Sequence, residues 1–377
     1  MGEEIMNVGI LGCGVISRIY LRDMQRLFPG ELAVKAVADV DPARAAKLAE
    51  EFDVPHAQTP VEMLADPEIG LVVNLTPPKL HTKLNRQILE AGKHLFCEKP
   101  FALTLPEAEE TLRLAESKGL SVGCAPDTFM GSAIQTCRKL IRDGWIGTPL
   151  YATANMMYSM VELWHPNPES FYQEGGGPVY DMGGYYITAL VSLFGSVTRI
   201  QAVSATGYSE RNVYVGPKAG QSFPVDTPTF YAVLLETSRK VIVTMNFSFD
   251  IWKSSLPLFE VYGTDGTLVV PDPNHHGGTP KVFRKEQRLA ECFGGEDAGK
   301  GEYFMLPELS QNVGEYVRGL GVADMVRAIR LGRPCAANGK LALHVVDVMT
   351  GIMEAARTDT AYMPVTTYET EEERNGL

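Results

Sequence analysis

The stretch Asn7-Val8-Gly9-Ile10-Leu11-Gly12-Cys13-Gly14-Val15-Ile16-Ser17 decides how this chain folds. An apolar run of strand length leads into two glycines and then into a helical pattern over 16–27. Glycines at 12 and 14 permit a tight turn and let backbone approach a pyrophosphate at a helix N-terminus. Small Ser17 stands where a third glycine is common. Gly12, Cys13, Gly14, Val15 and Ile16 are therefore candidate contacts for a dinucleotide. A turn of this kind also forms without nucleotide, so its context has to decide.

Outward from that turn, strands and helices alternate as far as Asp127. Strands are expected over 7–11, 32–39, 70–76, 94–98 and 121–125, and helices over 16–27, 42–52, 80–90 and 105–117. Short apolar runs separated by helices indicate a doubly wound parallel sheet. Asp39 ends the second strand about 25 residues after Gly14, where an acidic side chain typically bonds the adenosine ribose. Its carboxylate would repel a 2′-phosphate, so NAD is expected over NADP. Arg44 complicates this, since a guanidinium there would either pair with that phosphate or lie over adenine. Asp39 also reads as a helix cap in Asp39-Val40-Asp41-Pro42, although Asp41 fills that place more naturally.

Asn74-Leu75-Thr76-Pro77-Pro78 closes the third strand and exposes its carboxyl edge, with Thr76 and Pro77 facing the nicotinamide half of a dinucleotide. His81 follows, either as a ligand contact or as a helix-start histidine satisfied by backbone. The fourth strand ends in Glu98-Lys99-Pro100, which brings Lys99 to the edge where ligands of open α/β sheets bind. A free lysine titrates near 10.4, so polarising a substrate oxygen asks less of Lys99 than acting as a base. Glu98 would hold that ammonium, bind ribose, or form a plain strand-end ion pair.

Beyond Asp127 the texture changes. A helix over 134–143 and a strand over 150–158 precede a polar loop rich in proline and glycine, then an apolar helix over 179–194. Strands over 200–206, 229–235, 241–249, 258–263 and 267–271 follow with short turns and favour an antiparallel sheet. Helices over 313–331 and 341–357 close the pattern. Gly175-Gly176-Gly177-Pro178-Val179-Tyr180-Asp181-Met182-Gly183-Gly184-Tyr185 places Asp181 and Tyr185 four apart, on one helix face. The glycine run suits a backbone closing tightly over a ligand. His275-His276 lies in a turn-rich loop and reads as solvent-facing.

Together these motifs resemble the Gfo/Idh/MocA family, the relatives of glucose-fructose oxidoreductase and inositol dehydrogenase, over nearly the whole length. The matching features are Gly12-x-Gly14, Thr76-Pro77 with His81, Glu98-Lys99-Pro100, and the glycine run leading to Asp181 and Gly183. The resemblance implies a Rossmann domain and an α/β domain whose large, open, mostly antiparallel sheet makes the oligomer interface, as a homodimer or homotetramer. It also implies hydride transfer between a nicotinamide and a carbon of a sugar or cyclitol. Many relatives carry His at the position of Tyr185 and Asp at that of Thr188, so the proton donor is open between Tyr185 and His165. Two further segments resemble a subgroup of the family, Ala125-Pro126-Asp127-Thr128-Phe129 and Trp164-His165-Pro166-Asn167-Pro168. They make Asp127, His165 and Asn167 candidate ligands of sugar hydroxyls, beside Lys99, Asp181 and Tyr185.

The expected division is a dinucleotide domain over 1–127, a substrate domain over 128–368 and an acidic tail over 369–377. A formal net charge of −12 over 377 residues opposes nucleic acid and anionic membranes as partners. Six scattered cysteines without a CxxC pair fit reduced thiols in the cytoplasm and no zinc site. No apolar stretch reaches spanning length, and the first strand leaves no room for a leader, so an unprocessed soluble protein is expected. The leading expectation is an NAD-dependent dehydrogenase acting on a sugar or polyol, with Lys99, Asp181, Tyr185 and His165 as catalytic candidates and no metal. Two other readings stand beside it. One is a redox-neutral sugar-converting enzyme that retains its NAD; the other is a non-enzymatic sensor of nucleotide and sugar, against which intact Lys99, Asp181 and Tyr185 argue.

Overall fold

A computed structural model describes residues 5–158, 161–294, 301–309 and 316–370. The chain divides into two compact units, Met1–Met130 with Tyr316–Val346, and Gly131–Glu315 with Asp347–Leu377.

The first unit is built on a six-stranded parallel sheet. Its strands are β1 (Met6–Leu11), β2 (Leu32–Ala38), β3 (His56–Gln58), β4 (Leu71–Asn74), β5 (His94–Cys97) and β6 (Val122–Cys124), in the order β3-β2-β1-β4-β5-β6. Helices α1 (Val15–Leu27), α2 (Pro42–Glu51), α3 (Pro60–Ala65), α4 (Pro78–Glu90) and α5 (Leu105–Ser117) alternate with them. Val8, Ile10, Leu71, Val72 and Val73 are wholly buried, as strands covered on both faces require. Strand order reverses between β1 and β4, which opens a crevice at their carboxyl ends. Helix starts follow local chemistry. Asp41 Oδ1 accepts the Ala43 amide at 3.0 Å ahead of Pro42, and Thr59 with Glu62 and Thr104 with Glu107 form capping boxes.

The sequence expectation ran the second domain unbroken to 368. Instead Tyr316–Val346 belongs to the first unit. Beyond β6, the Cys124 amide bonds the Ala337 carbonyl at 2.9 Å, Gly123 bridges to Asn338, and Arg327 holds Glu31. That segment carries α9 (Leu320–Leu331), which starts later than the expected 313 because Gly319 takes φ +91° just before it; residues 313–315 lie outside the described ones.

The second unit contains an eight-stranded sheet. Its strands are β7 (Pro149–Met157), β8 (Val197–Ala205), β11 (Phe230–Thr237), β12 (Ile242–Ser248), β13 (Phe259–Gly263), β14 (Gly266–Val269), β15 (Lys281–Arg284) and β16 (Phe304–Met305), with β9 (Glu210–Asn212) and β10 (Ser222–Pro224) forming a separate hairpin. The order is β16-β15-β14-β13-β7-β12-β11-β8. Only the β7–β12 pair is parallel among the described pairings. Tyr231, Val233 and Leu235 of β11 are buried while Leu234 between them is exposed, so one face is packed and the other open. Helices α6 (Ser132–Arg142), α7 (Gly184–Phe194) and α8 (Lys285–Phe293) also belong to this unit, and α10 (Gly339–Thr358) crosses the unit boundary. α7 is buried on every side, with Tyr186 edge-on to Phe247 of β12 at 6.4 Å.

Two loop expectations are corrected. His276 is fully buried, and its carbonyl accepts the Ala133 amide at 3.0 Å, whereas His275 is exposed. Residues 371–377 of the expected tail lie outside the described residues. Thr370 is buried and accepts a hydrogen bond from Arg239 at 2.8 Å, so the chain is anchored that far.

Candidate active site

In the first unit the glycine turn is held from below by an acid. The Asp39 carboxylate accepts the Cys13 amide through Oδ2 at 2.9 Å and the Asp41 amide through Oδ1 at 2.9 Å. Asp41 is the cap of α2, so the capping alternative for Asp39 is set aside. Gly12 takes φ +102°, and a Cβ there would lie 2.9 Å from the Leu75 carbonyl atoms, so only glycine lets β1 turn against the end of β4. At Gly14 an added Cβ would meet nothing within 4 Å, and no side chain caps α1. An open cradle at an uncapped helix N-terminus fits a dinucleotide's pyrophosphate. Exposed Val15 and Val40 flank it. Burial, reinforced by the Asp39 charge, pushes the Cys13 thiol up to about 12, so Cys13 offers its backbone and not a thiolate. Arg44 pairs with Asp41 at 3.4 Å, on an exposed side chain.

The ends of β4 and β5 are shaped by buried amides and one histidine. Asn74 Oδ1 accepts both the Thr76 amide, at 3.2 Å, and its hydroxyl, at 2.7 Å, while Asn74 Nδ2 donates to Asn85 at 2.8 Å. Thr76 is thus fixed at the edge with Pro77 exposed beside it. His81 is fully buried, with Nδ1 2.7 Å from the Pro100 carbonyl and Nε2 2.7 Å from the Thr76 carbonyl. Both ring nitrogens are engaged inside the protein, so His81 supports the edge. Glu98 is also engaged internally, accepting the Tyr20 phenol at 2.9 Å and the Lys99 backbone amide at 2.9 Å. Lys99 itself is half-buried, just before the cis bond to Pro100. Asp127 is fully buried and takes the Gly321 amide of α9 through Oδ2 at 2.7 Å.

In the second unit Asp181 lies in a π-helical turn, Val179–Gly183, that runs into α7, and Tyr185 is buried in the first turn of α7. The glycine run closes over its own chain. Gly175 and Gly177 take φ +82° and +88°, and a Cβ on Gly176 would fall 2.5 Å from the Ser170 carbonyl oxygen. His165 and Asn167 share one loop. His165 Nδ1 accepts the Asn167 amide at 3.1 Å, which leaves Nε2 as the N–H nitrogen of an uncharged ring. His165 is packed edge-on against Trp164 and Phe171, with centroids 5.5 and 5.0 Å away.

A buried ionic cluster anchors that loop. Arg211 of β9 donates to Glu162 at 2.9 Å and also pairs with Asp250. Tyr172 donates to Glu162, Thr229 to Asp250 at 2.6 Å, and the Arg211 guanidinium lies 4.9 Å from the Tyr172 and Tyr208 ring centres. Among the described residues no group of three His, Cys, Asp or Glu is placed to hold a metal, and no helix is long and apolar enough to cross a membrane.

The family sequence model described as "Oxidoreductase family, NAD-binding Rossmann fold" matches residues 6–125, and "GFO/IDH/MocA C-terminal domain" matches residues 134–269. The chain belongs to the Gfo/Idh/MocA oxidoreductase family. Gfo/Idh/MocA relatives include the levoglucosan dehydrogenase of Pseudarthrobacter phenanthrenivorans, 24% identical over 288 residues that cover 70% of this chain and 73% of the relative. "Uncharacterized oxidoreductase C115.03" of Schizosaccharomyces pombe is 35% identical over 145 residues, 37% of this chain and 38% of its own. The chain spans about half or less of the length of several curated relatives it matches. A solved levoglucosan dehydrogenase in complex with NADH shares the fold at TM-score 0.78 and 21% identity, covering 96% of this chain and 100% of that one.

Within this Gfo/Idh/MocA chain, sequence reasoning missed Tyr20, Asn85, Cys97, Glu162 and Arg211. Each acts through a partner distant in sequence, and none sits in a motif with fixed spacing. Asn74 was signalled by its place at the strand end.

Proposed function

We propose that the protein moves a hydride between NAD and a carbinol carbon of a sugar, sugar derivative or cyclitol. The observation that carries this reading is the open turn at Gly14, with Asp39 bound to the Cys13 amide and Lys99 at the end of β5 in the same unit. Gly12 to Ile16 would receive the pyrophosphate, Asp39 the adenosine ribose, and Thr76 with Pro77 would border the nicotinamide. When bound, the nicotinamide supplies the hydride acceptor or donor. Asp39 favours NAD over NADP, and Arg44, already paired with Asp41, competes weakly for a 2′-phosphate.

Lys99 polarises the reacting oxygen, Tyr185 moves the proton, and Asp181 orients the hydroxyl. His165, whose Nδ1 is occupied, serves as a hydroxyl donor from Nε2 together with Asn167, rather than as a base. A cytoplasmic homo-oligomer, assembled through the open face of the large sheet where Tyr151, Leu234 and Ile242 are exposed, completes the reading.

The test is absorbance at the reduced-nicotinamide band, with NAD or NADP and a panel of inositols, aldoses and glycosides, beside Lys99→Met. A rise with NAD that Lys99→Met abolishes while still binding NAD supports the assignment. Turnover retained in Lys99→Met overturns the role of Lys99. Product formed from the sugar while nucleotide stays bound and shows no net reduction overturns dehydrogenation in favour of redox-neutral chemistry.

A further inference from the structure

His81 faces two carbonyl oxygens, and a carbonyl can only accept. A neutral imidazole has one N–H, so one of the two 2.7 Å contacts would set a nitrogen lone pair against an oxygen lone pair. In a fully buried site that contact carries the full penalty of an unsatisfied polar pair. The doubly protonated ring satisfies both carbonyls. Its counter-charge is at hand in Cys97, fully buried at the end of β5, whose sulfur accepts Asn85 Nδ2 at 3.4 Å.

We infer that His81 is a positioning residue, a buried imidazolium that ties the Thr76 carbonyl to the Pro100 carbonyl and so fixes where Lys99 stands. The two carbonyls belong to residues flanking Pro77 at one strand end and Lys99 at the other, so a single ring sets the spacing of the edges of β4 and β5. This rests on the proposed role of Lys99 in hydride transfer.

The surrounding groups agree in sign. Burial alone would lower the imidazole, but the Cys97 charge and the two carbonyls push it up to about 9. Burial alone would raise the Cys97 thiol, but hydrogen bonding from Cys124, the His81 charge and Asn85 bring it down. Cys124 stands in register with Cys97 on β6. Burial, then Cys97, Glu98 and Asp127 hold its thiol up, so Cys97 carries the negative charge of the two. Glu98, held by Tyr20 of α1, acts on Cys124.

The test uses the full-length protein with NAD bound and histidine labelled with 15N, the His81 signals being assigned by their loss in His81→Phe. Both ring nitrogens are expected at the protonated shift at pH 7.5. Cys97→Ala, which keeps the histidine, should lower its titration by about one unit or more. In the same variant the NMR signal of 13C-methylated Lys99 should move, kcat should fall about tenfold or more with its pH profile displaced, and NAD affinity should hold. One nitrogen at the unprotonated shift in the parent protein overturns the charged strut. A Lys99 signal unmoved in Cys97→Ala, with an unaltered pH profile, overturns the positioning role. If no sugar turns over in the parent protein, the hydride-transfer reading has failed, and the two NMR signals still decide the strut.

Discussion

Arg211→Met should unlock the second unit without touching the first. Arg211 is 3% exposed and lies between two carboxylates, of which Glu162 is fully buried. Methionine approximates the side chain's apolar volume but leaves both acids without their cation. Glu162 keeps the Tyr172 phenol and Asp250 keeps the Thr229 hydroxyl, so each loses part of its compensation and not all of it. Breaking a buried pair by removing one partner costs about 3–5 kcal/mol. For a body of this size each kcal/mol shifts the midpoint by about 2–4 °C, so the transition should fall by about 10 °C. The three tryptophans, Trp145, Trp164 and Trp252, all belong to the second unit, so tryptophan fluorescence during heating reads it directly. Adding Glu162→Gln to Arg211→Met removes an orphaned charge and should restore part of the loss, as double-mutant reasoning requires. Because Glu162 starts the segment that carries His165 and Asn167, the variant should also raise KM for substrate while leaving NAD affinity unchanged. A midpoint lowered by less than about 2 °C, or a double variant no more stable than the single one, would refute the reasoning.

Asp39→Ala removes the acceptor of two backbone amides and the proposed ribose contact, and should cost about 2 kcal/mol of stability while moving cofactor preference toward NADP. Melting curves and parallel NAD and NADP titrations check it. Gly12→Ala sets a side chain against the Leu75 carbonyl at a left-handed φ, and should lower stability by about 2–4 kcal/mol and abolish dinucleotide binding, read by calorimetry. The His81–Cys97 pair predicts a plateau of stability against pH. The raised His81 contributes stability in full below its free value of 6.5 and loses it as pH rises through about 9. The depressed Cys97 contributes in full above its free value of 9.0 and loses it as pH falls, so Cys97→Ala should remove the acid limb and draw the alkaline limb to lower pH, read as the melting midpoint across pH.

The first unit was legible because its strands are covered on both faces and read as unbroken apolar runs, punctuated by Pro42, Pro78 and Gly92 where helices begin or end. β3 and α3 escaped because His56 and Ala57 are exposed and three residues carry no period. β9, β10, β15 and β16 escaped in the second unit for the same reason of length. The return of Tyr316–Val346 left no local trace. It is set by pairings such as Cys124 with Ala337, which join positions far apart in the chain.

Residue type names what a side chain can do, whereas its neighbours decide how much of that capacity remains for a ligand. Glu98, Asp127 and His81 all had the chemistry of ligand contacts. The Tyr20 phenol and Lys99 amide occupy Glu98, the Gly321 amide engages Asp127, and two carbonyls take both nitrogens of His81. The glycine run makes the same point for backbone, since the surface that forbids a Cβ at Gly176 is the carbonyl of Ser170. Glu98 and His81, on either side of Lys99's backbone, are thus committed to holding the edges of β4 and β5 in place. A lysine whose own backbone amide is tied to Glu98, and whose following residue is tied to His81, has little freedom to relocate, and such preorganisation is what a group polarising a substrate oxygen requires.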